Sequence, residues 1–298
     1  MVSERDHERF HLVNRTRPVW NIANHLYSKR RLIAVPLRQK ERNRKRASFD
    51  FFNPRRLAMA VVTQLPILNS KSDAPSLFDG TTRLYVAVTC PFAQRPWMVR
   101  NYKGLDNSIE LVAIDLQDKP KWYLEKVYPP GKVPSLEHNG KVKGESLDLM
   151  EYIDKNFEGP SLFPEGSGKE EVTKELLAFS DEVNKQVFSA FRNKDADAAY
   201  AAEHIGPVLD RLEAALGKFE IEGPFFLGQL SAVDLAYAPF FARFEMLAPE
   251  LMSYDIFEGR PKLAKWFKEM NSVDAYTDTV TYDLNALAHV LKKNYGRL

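Results

Sequence analysis

One thiol serves the whole chain, because Cys90 is the only cysteine among 298 residues. It stands in Thr89-Cys90-Pro91-Phe92-Ala93, directly after the apolar, β-favouring run Leu84-Tyr85-Val86-Ala87-Val88, so it falls where a strand ends and a helix begins. Pro91 suits the first helical position, where its missing N–H is no loss. Free amides and the dipole of that first turn stabilise negative charge. A thiol there is expected to drop from about 8.5 into a range of roughly 3.5–7.5 and to act as a thiolate nucleophile. The plain alternative is a buried structural cysteine, a common fate of a lone thiol; the strand, proline and helix around Cys90 favour chemistry. A dithiol oxidoreductase keeps a resolving cysteine three residues on, and here that position is Ala93. Any disulfide on Cys90 must therefore be resolved by a thiol from outside the chain.

A second group of residues suits a tripeptide thiol with a carboxylate at each end, which describes glutathione. Glu145-Ser146 opens a helix whose amides and hydroxyl can bind a carboxylate, and Lys132 lies in a loop where it can pair with another. Val133 can offer its backbone to an extended peptide, provided the Val133–Pro134 bond is cis. Singly, Lys132 also reads as a solvated loop charge and Ser146 as a plain N-cap. Metal chemistry has no support, since His138, His204 and His289 belong to separate elements without ligand spacing. Phe188, Phe191, Tyr237, Phe240 and Phe241 are explained as helix core by their spacing, or else supply a surface for aromatic ligands.

The elements that position these residues follow from periodicity. Leu84–Val88 and Ile109–Leu116 flank a helix from Pro91 to about Tyr102, a βαβ unit with a right-handed crossover. Val133–Glu137 and Lys141–Lys143 are joined by His138 and Asn139-Gly140, the strongest two-residue hairpin signal, and a helix follows from Ser146. The order β-α-β, β-β-α is that of an α/β thioredoxin-like domain, assigned to residues 79–160. Residues 161–298 read as an all-helical C-terminal domain: Val172, Leu176, Phe179, Val183 and Val187 form one apolar stripe, and Ile205, Leu209, Leu212, Leu216 and Phe219 another. Ser231 and Asp234 open a further helix as a capping box, with Leu230 and Leu235 as its hydrophobic staple. Lys262–Met270 and Leu284–Lys293 complete the set.

Charge divides the chain more sharply than its net +2 indicates. Residues 1–58 hold 15 Lys and Arg against five acidic residues, a net +10, and the other 240 residues carry −8. The first segment is read as a basic, disordered extension, and 59–78 as a lead-in. Three explanations compete for the extension: a dispensable leader ahead of Met59-Ala60, which looks like an ordinary start; a transit peptide, against which Glu4, Asp6 and Glu8 and a count of three serines speak; and a nucleic-acid tail, for which charge alone is thin support. Charges and turn residues interrupt every apolar run, including Leu227–Phe244, so a membrane span is not expected. A lone cysteine excludes disulfide frameworks and Cys-rich zinc sites and points to the reducing interior of a cell.

From Thr82 to the C-terminus the chain resembles plant glutathione transferases of the lambda class, also called IN2-1-type proteins. The segments that carry the resemblance are Cys90-Pro91-Phe92-Ala93-Gln94-Arg95, Lys132-Val133-Pro134-Ser135-Leu136-Glu137-His138-Asn139-Gly140, and Gly144-Glu145-Ser146-Leu147-Asp148-Leu149. The first is shared with omega-class transferases and nearly with dehydroascorbate reductases. The resemblance implies that Cys90 is the catalytic thiol and forms a mixed disulfide with glutathione, the co-substrate. It implies that Phe92 lines the site, that Lys132 and the Val133 backbone hold the tripeptide, and that Glu145 and Ser146 hold its γ-glutamyl end. The implied activity is glutathione-dependent thiol transfer, or reductive removal of glutathione from small aromatic metabolites, rather than conjugation. Dehydroascorbate reduction and a non-catalytic carrier of glutathionylated or aromatic ligands are the alternatives. The resemblance further implies a monomer. The lone cysteine points to a cytoplasmic protein, or a plastid one if residues 1–58 act as a transit peptide; the interrupted apolar runs speak against a membrane partner, and charge alone is thin support for nucleic acid.

A chain beginning at Met59 should fold, melt within a few degrees of the full chain and keep its activity, because a segment that buries little apolar area cannot offset its ordering entropy. A large, salt-insensitive drop in melting temperature on truncation would refute that boundary.

Overall fold

The computed structural model describes residues 65–166, 168–282 and 284–296, so the basic extension and lead-in residues 59–64 lie outside the described residues. A five-stranded mixed sheet is built from β1 (Ile67–Leu68), β2 (Arg83–Val86), β3 (Glu110–Ile114), β4 (Ser135–His138) and β5 (Lys141–Lys143), in the order β1-β3-β2-β4-β5. All four residues of β2 are buried, which is why from Leu84 onward its sequence reads as a continuous apolar run rather than an alternation. It pairs in parallel with β3 (Leu84 opposite Leu111) and antiparallel with β4 (Leu84 opposite Leu136). The hairpin from β4 to β5 turns on Asn139 and Gly140, both at positive φ, with His138 opposite Lys141. That is the geometry Asn-Gly was expected to supply.

Two details of the sheet differ from the periodicity reading. Strand β1, parallel to β3, falls within the stretch read as a lead-in; two residues are too few to show alternation. Strand β4 starts at Ser135 rather than Val133, because Pro134 has no N–H to give to a ladder. The Val133–Pro134 bond is cis.

Helix α1 (Pro91–Tyr102) is buried from Ala93 through Arg100, so it runs through the interior and has no solvated face. Helix α2 (Ser146–Asn156) follows the hairpin. A correction belongs here: the N-cap is Glu145, with φ +62°, and Ser146 is the first helical residue rather than the cap.

The remaining elements are helical: α3 (Glu170–Arg192), α4 (Ala198–His204), α5 (Gly206–Leu216) with a 3-10 turn at Gly217–Phe219, α6 (Ala232–Met252), α7 (Pro261–Met270), α8 (Asp274–Thr277) and α9 (Leu284–Asn294). Of the two expected stripes, the first lies on α3; the second begins at Ile205, where the chain breaks between α4 and α5. None of the described helices is long and apolar enough to cross a membrane.

Helix α6 is the axis of this half, and its capping box forms as its sequence indicates. Asp234 is fully buried and accepts four hydrogen bonds: from the Ser231 amide (2.9 Å) and hydroxyl (2.8 Å), the Phe226 amide (3.1 Å) and the Trp266 indole (2.9 Å). Burial pushes its carboxyl up to about 6 against the pull of those donors. The capping box is thus also the tie that holds α7 and the Phe226 loop to α6. Asp234→Asn places an amide group among four donors and should cost about 2–3 kcal/mol, a fall of roughly 5–10 °C in melting temperature for a chain of this size. Calorimetry above neutral pH, where the carboxylate is ionised, measures it.

Candidate functional site

Cys90 is the N-cap of α1: its carbonyl accepts from the Gln94 amide at 3.1 Å, and Pro91 takes the first helical position. The amides of Phe92 and Ala93 point at the sulfur and, with the Arg243 and Arg95 guanidiniums, draw its acidity toward the thiolate. Its Sγ also lies 3.9 Å from the Val133 carbonyl. Burial outweighs these pulls and raises the thiol above its ordinary value, which corrects the expected titration below neutral. The helix terminus is where it was expected, but packing over the half-buried sulfur disfavours its charged form.

Arg95, next on the inner face of α1, is 1% exposed and uses its whole fork. Nε donates to the Ala236 carbonyl of α6 (2.9 Å), Nη1 to Ser146 Oγ at the head of α2 (3.1 Å), and Nη2 to Ser180 Oγ on α3 (2.9 Å). The exposed Asp181 carboxylate stands 3.8 Å away. The rings of Phe240 and Phe92 flank the guanidinium at 4.7 and 5.5 Å from their centroids, a cation–π arrangement that partly replaces lost hydration. Burial lowers its pKa to about 10, so it stays charged at neutral pH.

A cleft of about 1230 Å³ opens over Cys90 and is also lined by Phe92, Glu145 and Ser146. It exceeds the roughly 300–1,000 Å³ of a typical small-molecule site, so two ligands can lie side by side. Four of the six expected site residues therefore share one wall. Val133 and Lys132 stand behind it: Val133 reaches the site through its carbonyl, and Lys132 is exposed, its carbonyl accepting from Tyr123 Oη at 2.6 Å. Positive φ at Glu145 is unfavourable for a side-chain-bearing residue, and it turns α2 so that the Ser146 hydroxyl meets Arg95. Gly144 before it lets Tyr128 pack close, since a methyl group there would lie 1.9 Å from Tyr128 Oη and displace that ring.

Arg243 in the cleft and Gln94 beside it escaped the sequence reading. Arg243 is buried, donates to the Thr89 carbonyl at 2.7 Å and lies over the Tyr282 ring. Gln94 donates to Thr279 Oγ1 at 3.2 Å and docks the segment leading to α9, whose residues Leu287, Val290 and Leu291 form the far wall. A charged or amide residue inside an otherwise apolar helical stretch was the available signal, carried by Gln94, Arg95 and Arg243 alike. Of the five aromatics weighed as a ligand surface, Phe191, Tyr237, Phe240 and Phe241 are fully buried core, and only Phe188 lines the cleft.

Residues 84–161 match the family model described as Glutathione S-transferase, N-terminal domain, and residues 171–269 that of the C-terminal domain. Glutathione S-transferase L2, chloroplastic, of Arabidopsis thaliana is 54% identical over 223 residues, covering 75% of this chain and 74% of the relative. Protein IN2-1 of Zea mays is 50% identical over 214 residues, covering 72% and 86%. Among solved structures, glutathione transferase Omega 3C from Trametes versicolor aligns with a TM-score of 0.60 at 25% identity, over 75% of this chain and 94% of that one.

Alkylation of Cys90 by iodoacetamide in the ligand-free protein should accelerate with pH through a midpoint above the ordinary thiol value of about 8.5. Arg243→Gln removes a positive charge and should move that midpoint further up; a midpoint below neutral in the unaltered chain would contradict the dominance of burial.

Proposed function

The chain belongs to the lambda-class glutathione transferases, and from that premise we propose that it is a thiol transferase whose nucleophile is Cys90. The observation that carries this reading is a lone thiol at the N-cap of α1, beside two amides and two guanidiniums, where a bond to sulfur is available that a hydroxyl could not make. Glutathione is assigned to the Cys90 wall. The amides and hydroxyl at the head of α2 receive its γ-glutamyl carboxylate, Glu145 its ammonium group, the Val133 backbone its peptide, Lys132 its glycyl carboxylate, and Phe92 lines the thiol end.

The chemistry balances without an added oxidant. The Cys90 thiolate attacks the glutathione sulfur of an adduct, forming Cys90–S–S–glutathione. The organic group leaves with the bonding electron pair, as a thiolate from a disulfide or as an enolate from a carbon α to a carbonyl, and takes a proton. A second glutathione, as thiolate, attacks the glutathione sulfur of the mixed disulfide, freeing Cys90 and oxidised glutathione. A raised thiol pKa makes the thiolate scarcer but more nucleophilic, and the nearby amides, Arg95 and Arg243 stabilise the charge as it forms. Among the five aromatics weighed for the carrier reading, only Phe188 lines the cleft, so that alternative loses four of the residues it was read from. For residues 1–58 we favour the plastid alternative, supported by the relative named chloroplastic.

Incubation with oxidised glutathione should add one glutathione per chain by mass spectrometry, and Cys90→Ala should abolish both the adduct and thiol transfer. Cys90→Ser should lose thiol transfer and gain weak conjugating activity. Disulfide reduction that survives in Cys90→Ala would place the chemistry elsewhere.

A further inference from the structure

Arg83, Arg95, Arg100, Arg211 and Arg260 each have a carboxylate at 2.7–3.8 Å. Arg192 and Arg243 have none among the described residues, and both line the cleft. Arg243 is buried beside Cys90, whose thiolate answers it when that charge forms. Arg192 has no such answer. It is the exposed last residue of α3, where one donor of its fork goes to the Phe188 carbonyl at 3.3 Å and its guanidinium lies 5.9 Å from the centroid of the Tyr295 ring. A guanidinium carries five donors, so most of this fork is uncommitted among the described residues. A cation in the last turn of a helix answers the dipole, but that role calls for neither a cleft nor a ring beside it.

Charge is sorted across the cleft. Asp115, Glu145 and Asp148 line its sheet half; on the helical half Asp181 stands 3.8 Å from Arg95, while the exposed Lys185 and Arg192 have no acidic partner among the described residues. Lys185, Phe188 and Arg192 are three and four residues apart on α3 and so share one face, with an aromatic ring between two cations. Arg192 also lies about 18 Å along the helix from Ser180, the residue that holds Arg95. An anion received there belongs to the acceptor and not to glutathione. The geometry points to Arg192, assisted by Lys185, as a specificity-determining residue that recognises a carboxylate on an aromatic acceptor whose ring lies against Phe188. A carboxylate takes two N–H bonds from one guanidinium fork, which an amide of the same shape cannot. The inference rests on the thiol-transfer reading above and adds the class of acceptor that the far end of the cleft would select.

The test uses the full chain and S-phenacylglutathione bearing a carboxylate at the meta or para ring position, with the corresponding carboxamides as neutral references. The unaltered protein should prefer the better-placed carboxylate over its amide by about tenfold in kcat/KM, with the difference in KM. That preference should shrink as salt is raised from about 0.05 to about 0.5 M. In Arg192→Gln the ratio should fall to about one, in Arg192→Glu below one, and in Lys185→Gln part of the way. Melting temperature should stay within about 2 °C in all three, since both side chains are exposed. Calorimetry of the same pairs on Cys90→Ser, with and without Arg192→Gln, reads recognition without turnover. If the unaltered chain turns over neither adduct, the thiol-transfer reading fails while calorimetry still decides the role of Arg192. Equal kcat/KM or equal dissociation constants for carboxylate and amide in the chain with Arg192 intact, or a preference that survives Arg192→Gln, overturns the inference.

Discussion

A guanidinium without water must find every hydrogen bond inside the protein, and Arg95 finds them on three other helices. Its donors end on Ser146 at the head of α2, Ser180 on α3 and the Ala236 carbonyl of α6. The sheet half and the helical half are therefore joined by one buried charge placed five residues after Cys90. Removing one partner from such a group is expensive, because the charge stays behind unpaired. The constraint also fixes the Ser146 hydroxyl, whose orientation decides what the head of α2 can bind. Phe92 and Phe240 complete the enclosure, their rings 4.9 Å apart edge to face.

Around Cys90 two opposing effects are arranged within one turn of helix. The amides of Phe92 and Ala93 with Arg243 and Arg95 favour the thiolate, while burial disfavours it and prevails. Such a site holds Cys90 mostly as thiol, with positive groups placed beside the sulfur. Arg243 has a second task, because it grips the Thr89 carbonyl and so holds the end of the strand from which Cys90 projects. On the opposite side, Gln94 secures Thr279 and thereby the approach to α9. The hexapeptide from Cys90 to Arg95 thus contains the lone thiol, one anchor for the cleft wall and one tie across the helices.

Backbone geometry contributes where side chains cannot. Gly144 is pressed against Tyr128, and Glu145 adopts a positive φ that turns the chain into α2. The Tyr123 hydroxyl, donating to the Lys132 carbonyl and meeting Ser135 Oγ at 2.9 Å, steadies the loop that brings the Val133 carbonyl toward Cys90. These contacts come from opposite sides of the hairpin, one set shaping the cleft wall at Glu145 and the other bringing the Val133 carbonyl to Cys90 from behind it.

How much of this was legible in the residues themselves follows from the range of the forces involved. Local rules place α1 after β2, the Asn139-Gly140 hairpin and the Ser231–Asp234 cap, because each is decided by neighbours a few residues apart. Strand β1 was not legible, since two residues carry no period and their pairing with β3 is a long-range event. The cap of α2 was misplaced by one residue because Ser146 gives its hydroxyl to Arg95, 51 positions earlier in the chain, instead of to its own helix. The thiol of Cys90 lies at the helix terminus as expected, while burial opposes the acidity that terminus was expected to give it. A helix terminus is a local property, but desolvation sums everything that packs over the sulfur, including Arg243 from α6. Asn184 is the same lesson in reverse: in sequence it is an ordinary polar residue on an amphipathic helix, and only tertiary packing makes its amide both buried and unpaired. Sequence determined which groups exist and the local turns that present them; tertiary structure decided their solvation, because burial and charge are set by atoms distant along the chain and near in space.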